Sequence, residues 1–497
     1  MVSALLVILE RWPNETKQTM STYPDLHLYI DGQFRKTIAT LPVVNPANEE
    51  VIGDLPIADQ NDLDDALEAA GRGFKVWSRT SPRDRSDIIL KAARLMRERI
   101  NDVAYSITCE HGKPYRQGQL EVVRGSEFFE WDAGECQRLY GRAIPGAPGL
   151  RHTVLRQPIG TVAAFAPWNF PMSQPARKVA GALAAGCSVI LKAAEETPAG
   201  ALHIARAFHD AGLPAGVLNL VFGAPSEISS YLIPQDQIRL VAFTGSTVVG
   251  RQLTGLASDH MTPVLMELGG HAPVIVCDDV DPEEVGGICA SRKYRNAGQV
   301  CTSPTRFYVG ETQFETFAQS FVASADAIVV GDGLNEKTQM GPVANERRLA
   351  AMSELVEDAV SNGAELRTGG HRIGNKGYFF EPTVLANVPD EARIMSEEPF
   401  GPIAIINPVS SLEEGIAQAN RLPFGLAAYG FTHSAANVEK LVDGVETGNL
   451  SINTLEASLP ETPFGGVKSS GYGREGGEEG LHHYTVVKNV SHKITIG

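Results

Sequence analysis

Between residues 160 and 257 the sequence alternates between two apolar periods with almost nothing in between. "GTVAAFAP" (160–167), "SVILKAA" (188–194), "GVLNLVFG" (216–223) and "IRLVAFTGS" (238–246) are short, nearly continuous apolar runs. A strand that is apolar on both faces has both faces covered. The stretches between and after them, "PARKVAGALAAG", "PAGALHIARAFHDAG", "PSEISSYLI" and "TVVGRQLTGLA", read as helices, the first with Pro175 in the tolerated opening turn. Strict strand–helix alternation over about 100 residues predicts a parallel sheet sandwiched by helices, an architecture suited to nucleotides.

The rest of the chain is longer than that unit needs. At 497 residues it exceeds one core. Apolar spacing from about Asn61 to Arg99 is helical, and a second α/β region runs from about Glu267 to Leu459. The β-branched, alternating tail "HHYTVVKNVSHKITIG" reads as a strand seeking a sheet outside both. Residues 1–20 fit a signal peptide poorly and read as a disordered extension, with Met20 as an alternative start. With 43 basic against 59 acidic residues the net charge is −16, which argues against nucleic acid or an anionic membrane as partner. No apolar run approaches the roughly 20 residues of a membrane span. Six dispersed cysteines without a CxxC pair indicate reduced thiols and a cytoplasmic setting, and the histidines show no metal-binding spacing. "GYGREG" (471–476) satisfies GxGxxG literally, but no strand precedes it and no βαβ unit follows, so it reads as coincidence.

Chemistry gathers at the strand ends. "FTGS" ends a strand and opens a helix: Gly245 permits close backbone approach and Ser246 can cap, which suits a pyrophosphate or simply a capped surface helix. Lys192 and Glu195 follow the neighbouring strand, where an acid can accept ribose hydroxyls or form an ordinary charge pair. "PWNFP" (167–171) holds Trp168 and Asn169 in a proline-stiffened loop. "MELGG" sets Glu267 in apolar surroundings, which raise a carboxyl pKa toward that of a general base. Cys301, in "RNAGQVCTSPTR", sits among small and polar residues; taken singly it is equally an inert thiol.

In order, "PWNFP", "FTGS", "MELGG", "GQVC" and "EEPFGP" (397–402) resemble the signature of the aldehyde dehydrogenase superfamily, over nearly the whole chain from residue 28. The resemblance implies an α/β fold. A Rossmann-type parallel-sheet cofactor domain (21–136 and 158–266) would join an α/β catalytic domain (267–460) and a small β oligomerisation element (137–157 and 482–497). It implies Cys301 as nucleophile, Asn169 with the Cys301 N–H as oxyanion hole, and Glu267 as the base that activates the hydrolytic water. Trp168, Gly245, Ser246, Glu398 and Phe400 would contact the cofactor, with Lys192 and Glu195 at the adenosine ribose. NAD is then expected to be preferred over NADP, and the chain to assemble as a homodimer or homotetramer. "EWDAGECQRLYGR", "EISSYLIP" and "NRLPFGLAAY" are most similar to α-ketoglutaric semialdehyde dehydrogenases, with succinate-semialdehyde dehydrogenases as near relatives and a broad-specificity aldehyde dehydrogenase as the fallback. Arg177 resembles their carboxylate-gripping arginine; Gln174, three residues earlier, shares its helix face, and Arg295 and Ser458 are further expected contacts. Glu267 argues against a CoA-acylating relative, and a cysteine hydrolase would want a histidine beside Cys301. His271 stands where Lys or Asn is common in the family.

Overall fold

A computed structural model describes residues 22–494; the expected extension at 1–20 and the last three residues lie outside the described residues. The alternating region forms most of an eight-stranded sheet. Its order is Gln33–Arg35, Leu28–Ile30, Leu218–Val221, Ser188–Lys192, Thr161–Phe165, Ile238–Thr244, Val264–Glu267 and Gly471–Tyr472. The five central strands are parallel, each is mostly or wholly buried, and the helices Ser173–Ala185, Ala199–Ala211, Pro225–Leu232 and Thr247–Ser258 connect or follow them as the alternation predicts. Register places Lys192 level with Phe165, Phe165 with Phe243, and Thr244 with Glu267. The strand ends that carry the motifs are therefore neighbours along one edge.

Two features lie outside the sequence expectation. The sheet begins with a hairpin at 28–35, whose turn residues Asp31 and Gly32 both have positive φ (51° and 76°). This is the Asp-Gly chemistry of a tight two-residue hairpin turn. The sheet ends on Gly471–Tyr472, antiparallel to Val264–Glu267, and a two-residue strand, Val467–Lys468, precedes "GYGREG" where none was expected; no βαβ unit follows it, in keeping with the sequence reading.

The second region builds its own seven-stranded sheet, whose parallel centre is Thr383–Ala386, Ile403–Val409, Arg306–Gly310, Pro273–Val276, Ala427–Phe431 and Asn449–Ile452. Each sheet has its own apolar core. The C-terminal strand Thr485–Lys493 pairs along its whole length with Leu150–Pro158, and Arg142–Pro145 completes a three-stranded sheet. Residues 479–482 form a short helix before the last strand. Among the described residues no helix is long and apolar enough to cross a membrane.

Candidate active site

A cavity of about 460 Å³ opens where the two sheets meet. Pro167, Trp168, Asn169, Gln174, Thr244, Gly245, Ser246 and Glu267 reach it from the first sheet, and Cys301, Glu398, Phe400 and Phe464 from beyond it. Residues up to 297 apart in sequence thus line one space, and they include all three expected catalytic side chains.

Cys301 follows a tight turn in which Asn296, Ala297 and Gly298 all have positive φ. Gly298 is forced: a Cβ there would lie 2.1 Å from the Gly401 carbonyl oxygen. Cys301 is the one cysteine with partial exposure, and the other five are buried. Burial, helped by the carboxylates of Glu398 and Glu267, pushes its thiol up to about 12, and Arg177 pulls the other way. Attack by sulfur therefore needs a partner for the proton.

Glu267 ends its strand fully inside, with neither carboxylate oxygen hydrogen-bonded. Burial first, then the charge of Glu475, holds its carboxyl well above the usual range, while Lys178, Arg177 and Arg474 oppose the shift. Lys178 and Glu475 form a buried pair at 2.6 Å. Gly465 keeps the space open, since a Cβ there would come within 2.8 Å of Glu267 Oε1. A carboxyl with a raised pKa, unbonded and facing the cysteine's cavity, can act as a general base in its ionised form.

Asn169 is held on three sides. Its carbonyl accepts from Lys113 Nζ (3.0 Å) and Asn296 Nδ2 (3.1 Å), and its own Nδ2 donates to the Gln299 carbonyl at 3.0 Å. An amide NH2 carries two protons, so one remains for an oxyanion beside Cys301.

On the other wall, Trp168 and Phe400 meet edge to face at 5.6 Å, and Ser246 caps the helix Thr247–Ser258 as expected. Thr244 Oγ1 and Arg348 Nε are buried without partners. These orphaned polar atoms, aromatic faces and a capped helix N-terminus fit a dinucleotide. Glu398 is half-buried, and desolvation pushes its carboxyl up to about 8, with Arg348 and Lys293 opposing. Lys192 and Glu195 are not in the cavity wall. They bond to each other at 2.7 Å, Lys192 nearly buried and Glu195 partly exposed, at the next strand end.

Of the expected substrate contacts, Gln174 lines the cavity. Arg177 lies behind Phe464, which does line it, with its guanidinium between the rings of Phe128 (4.0 Å) and Phe464 (4.8 Å). One nitrogen donates to Ser458 Oγ, and Nη1 has no partner. Arg295 sits 5.8 Å from the Phe170 ring. His271 is buried and donates from Nε2 to the Ile394 carbonyl at 2.8 Å, joining the loop after Glu267 to the turn before Glu398. Sequence reasoning missed Lys178, Glu475, Thr244, Arg348 and Phe464. Only Lys178 carried a signal, as a second cation inside an otherwise apolar helix.

Comparison with known proteins points one way. The sequence profile described as "Aldehyde dehydrogenase family" matches residues 34–490. A putative 4-(hydroxymethyl)benzenesulfonate dehydrogenase of Comamonas testosteroni is 43% identical over 93% of this chain and 97% of its own. An NADP-dependent succinate-semialdehyde dehydrogenase of Escherichia coli is 39% identical over 90% of this chain and 93% of its own. The crystal structure of a succinate-semialdehyde dehydrogenase from Burkholderia pseudomallei superposes with a TM-score of 0.93 at 36% identity, covering 97% of this chain and 100% of that one.

Proposed function

This chain belongs to the aldehyde dehydrogenase family, and from that premise we propose that it oxidises an acid semialdehyde to the corresponding acid with NAD(P), the favoured substrate being α-ketoglutaric semialdehyde and the product 2-oxoglutarate. The carrying observation is the buried Arg177 guanidinium, which has an unpartnered Nη1 and lies close enough for Cys301 and Glu267 to bear on its charge. A buried cation left short of partners favours an anion in its pocket. Gln174 gives the extra keto oxygen of the favoured substrate a donor. Succinic semialdehyde, which lacks that oxygen, is the second reading, supported by the relatives named above.

Cys301 Sγ adds to the aldehyde carbon as its proton passes to solvent water, and the Asn169 amide with the Cys301 N–H takes the developing oxyanion. A nicotinamide held there would supply the hydride acceptor, leaving the carbonyl carbon on sulfur as a thioester. Glu267 then takes a proton from the water that attacks this thioester, and the product acid leaves as the thiol is restored. Trp168, Thr244, Ser246, Glu398 and Phe400 would hold the dinucleotide. NAD over NADP is the proposed preference, on the resemblance that sets Glu195 at the adenosine ribose, where its charge would oppose a 2′-phosphate. The chain is proposed to self-associate through its three-stranded sheet.

The test is Arg177→Ala. Removing a charge-assisted contact costs about 2–3 kcal/mol, or roughly 30- to 150-fold in kcat/KM. That loss is expected on α-ketoglutaric and succinic semialdehydes and not on butanal. Equal loss on all three would reduce the activity to that of a general aldehyde dehydrogenase.

A further inference from the structure

The two oxyanion donors come from different sheets. Asn169 follows the strand Thr161–Phe165 of the first, and Cys301 precedes Arg306–Gly310 of the second. The Asn169 side chain does little to fix itself. Its Nδ2 has one bond, to the Gln299 carbonyl at 3.0 Å, and its Oδ1 is buried without a partner. Its direction therefore depends on how firmly its backbone is held.

That backbone is gripped by a buried ion pair from an earlier part of the chain. Lys113 Nζ and Glu121 Oε2 lie 2.6 Å apart, each side chain 1% exposed. Lys113 Nζ also donates to the main-chain carbonyl of Asn169 at 3.0 Å and stands 4.3 Å from the centre of the Phe170 ring. Its three protons thus have a carboxylate, a carbonyl and a ring face to meet. The other Glu121 oxygen accepts from the N–H groups of Met172 (2.9 Å) and Ser173 (3.2 Å), where the helix Ser173–Ala185 starts without a side-chain cap of its own. One pair holds residues 169–173 at both ends. Gln117, one turn before Glu121 on the same helix face, accepts from the N–H of Asn296 at 3.0 Å, in the turn before Cys301. The helix Tyr115–Glu135 therefore ties both donors to one rigid element.

Burial lowers the pKa of Lys113, and Glu121 opposes that shift. Apolar side chains of similar volume commonly serve stability as well as a buried ion pair does, so stability alone does not account for these charges. We propose that Lys113 and Glu121 are positioning residues for the oxyanion hole, keeping the second Asn169 N–H aimed beside Cys301 while sulfur adds to the aldehyde. The inference rests on the reading of Asn169 as an oxyanion donor. Neither residue lines the cavity, so both act through the loop.

Lys113→Met alone would leave a buried carboxylate unpaired. The double variant Lys113→Met, Glu121→Gln removes both charges and keeps an acceptor for Met172 and Ser173. The measurement is NADH formation in a single turnover of butanal, a neutral aldehyde that does not call on Arg177, with excess enzyme and NAD. It is made on the wild type, the double variant, Asn169→Ala and the triple variant. Asn169→Ala is expected to slow the limiting rate about 10²–10³-fold, and the double variant roughly 10- to 100-fold. The enzyme concentration giving half the limiting rate, and NADH affinity by fluorescence, should not change in the double variant. In the Asn169→Ala background the double substitution should cost no more than about twofold, because the group it aims is gone. If the double variant does not bind NADH, Glu121→Gln alone takes its place in the same cycle. An equal loss in both backgrounds would overturn the positioning role, as would a loss that follows weakened NADH or butanal binding. If Asn169→Ala is slow while the paired variant is as fast as wild type, the positioning role alone fails. If Asn169→Ala itself keeps the wild-type rate, the oxyanion reading fails and the inference with it.

Discussion

Cys301 and Glu267 share one cavity, and both favour their neutral forms. The thiol stands near 12 because burial and two carboxylates oppose a thiolate; the carboxyl of Glu267 stands high mainly because it is buried without a bonding partner. A cation docked against Glu398 would offset part of the first effect. Alkylation of Cys301 by iodoacetamide should therefore be slow near pH 8 in the cofactor-free protein and faster once NAD is added, measured as the rate of mass gain. Equal rates would mean that neither burial nor Glu398 controls this thiol. For Glu267 the sign matters. A base works in its ionised form, so thioester hydrolysis should slow as pH falls through its raised pKa. Its folded pKa lies above the unfolded one, so the stability it contributes is present at low pH and lost as pH rises. Glu267→Gln is expected to give a burst of NADH, then turnover slowed by about 10²–10⁴. The same variant should gain melting temperature relative to wild type as pH increases. Steady turnover without a burst would remove Glu267 from the hydrolytic step.

At the scale of elements, the loop from 465 to 477 is shaped by what it must avoid. Gly471 has φ +111°, pairs with Glu267 across the strands, and a Cβ there would lie 2.0 Å from the Met266 carbonyl oxygen. Gly471→Ala is expected to lose at least about 1–3 kcal/mol from backbone strain alone and to slow thioester hydrolysis by displacing the Glu267 strand. Gly71→Ala provides the contrast. It lies in the helix Gln60–Trp77 with nothing within 4 Å of the added Cβ, and should gain about 0.5–1 kcal/mol. Thermal melts of both variants decide the point, and a neutral Gly471→Ala would refute the packing argument. The same contrast explains what the sequence revealed. The four strands from 161 to 244 were legible because burial on both faces leaves an unbroken apolar run. The hairpin at 28–35 was not, since strands of three residues are too short to show a period, although its Asp-Gly turn was in plain view. Cys301, Glu267 and Asn169 were legible through local motifs. The Lys178–Glu475 pair joins residues 297 apart, and no local pattern carries that information. Lys192 and Glu195 were found as neighbours, but that they bond to each other depends on side-chain direction, which spacing does not fix.

At the scale of the molecule, the three-stranded sheet of Arg142–Pro145, Leu150–Pro158 and Thr485–Lys493 leaves apolar side chains in solvent. Register sets Val486 opposite Gln157, Lys488 opposite Leu155 and Val490 opposite Thr153, so Val486, Leu155 and Val490 share one face, exposed by 42%, 37% and 38%. Opposite them Val487 is 63% exposed and Ile144 42%. Apolar strands at a sheet edge attract other chains unless they are covered. Covering these residues with a second copy would gain up to about 1.5–3 kcal/mol for each side chain fully buried. The double variant Val486→Glu, Val490→Glu puts two like charges into that face while leaving both catalytic sheets untouched. Its molar mass by light scattering is expected to fall below that of the wild type at equal concentration, with the circular dichroism of the folded chain retained. Added salt should restore part of the association by screening the new charges. An unchanged mass would show that copies of the chain meet elsewhere, because two carboxylates cannot enter a dry apolar contact without cost.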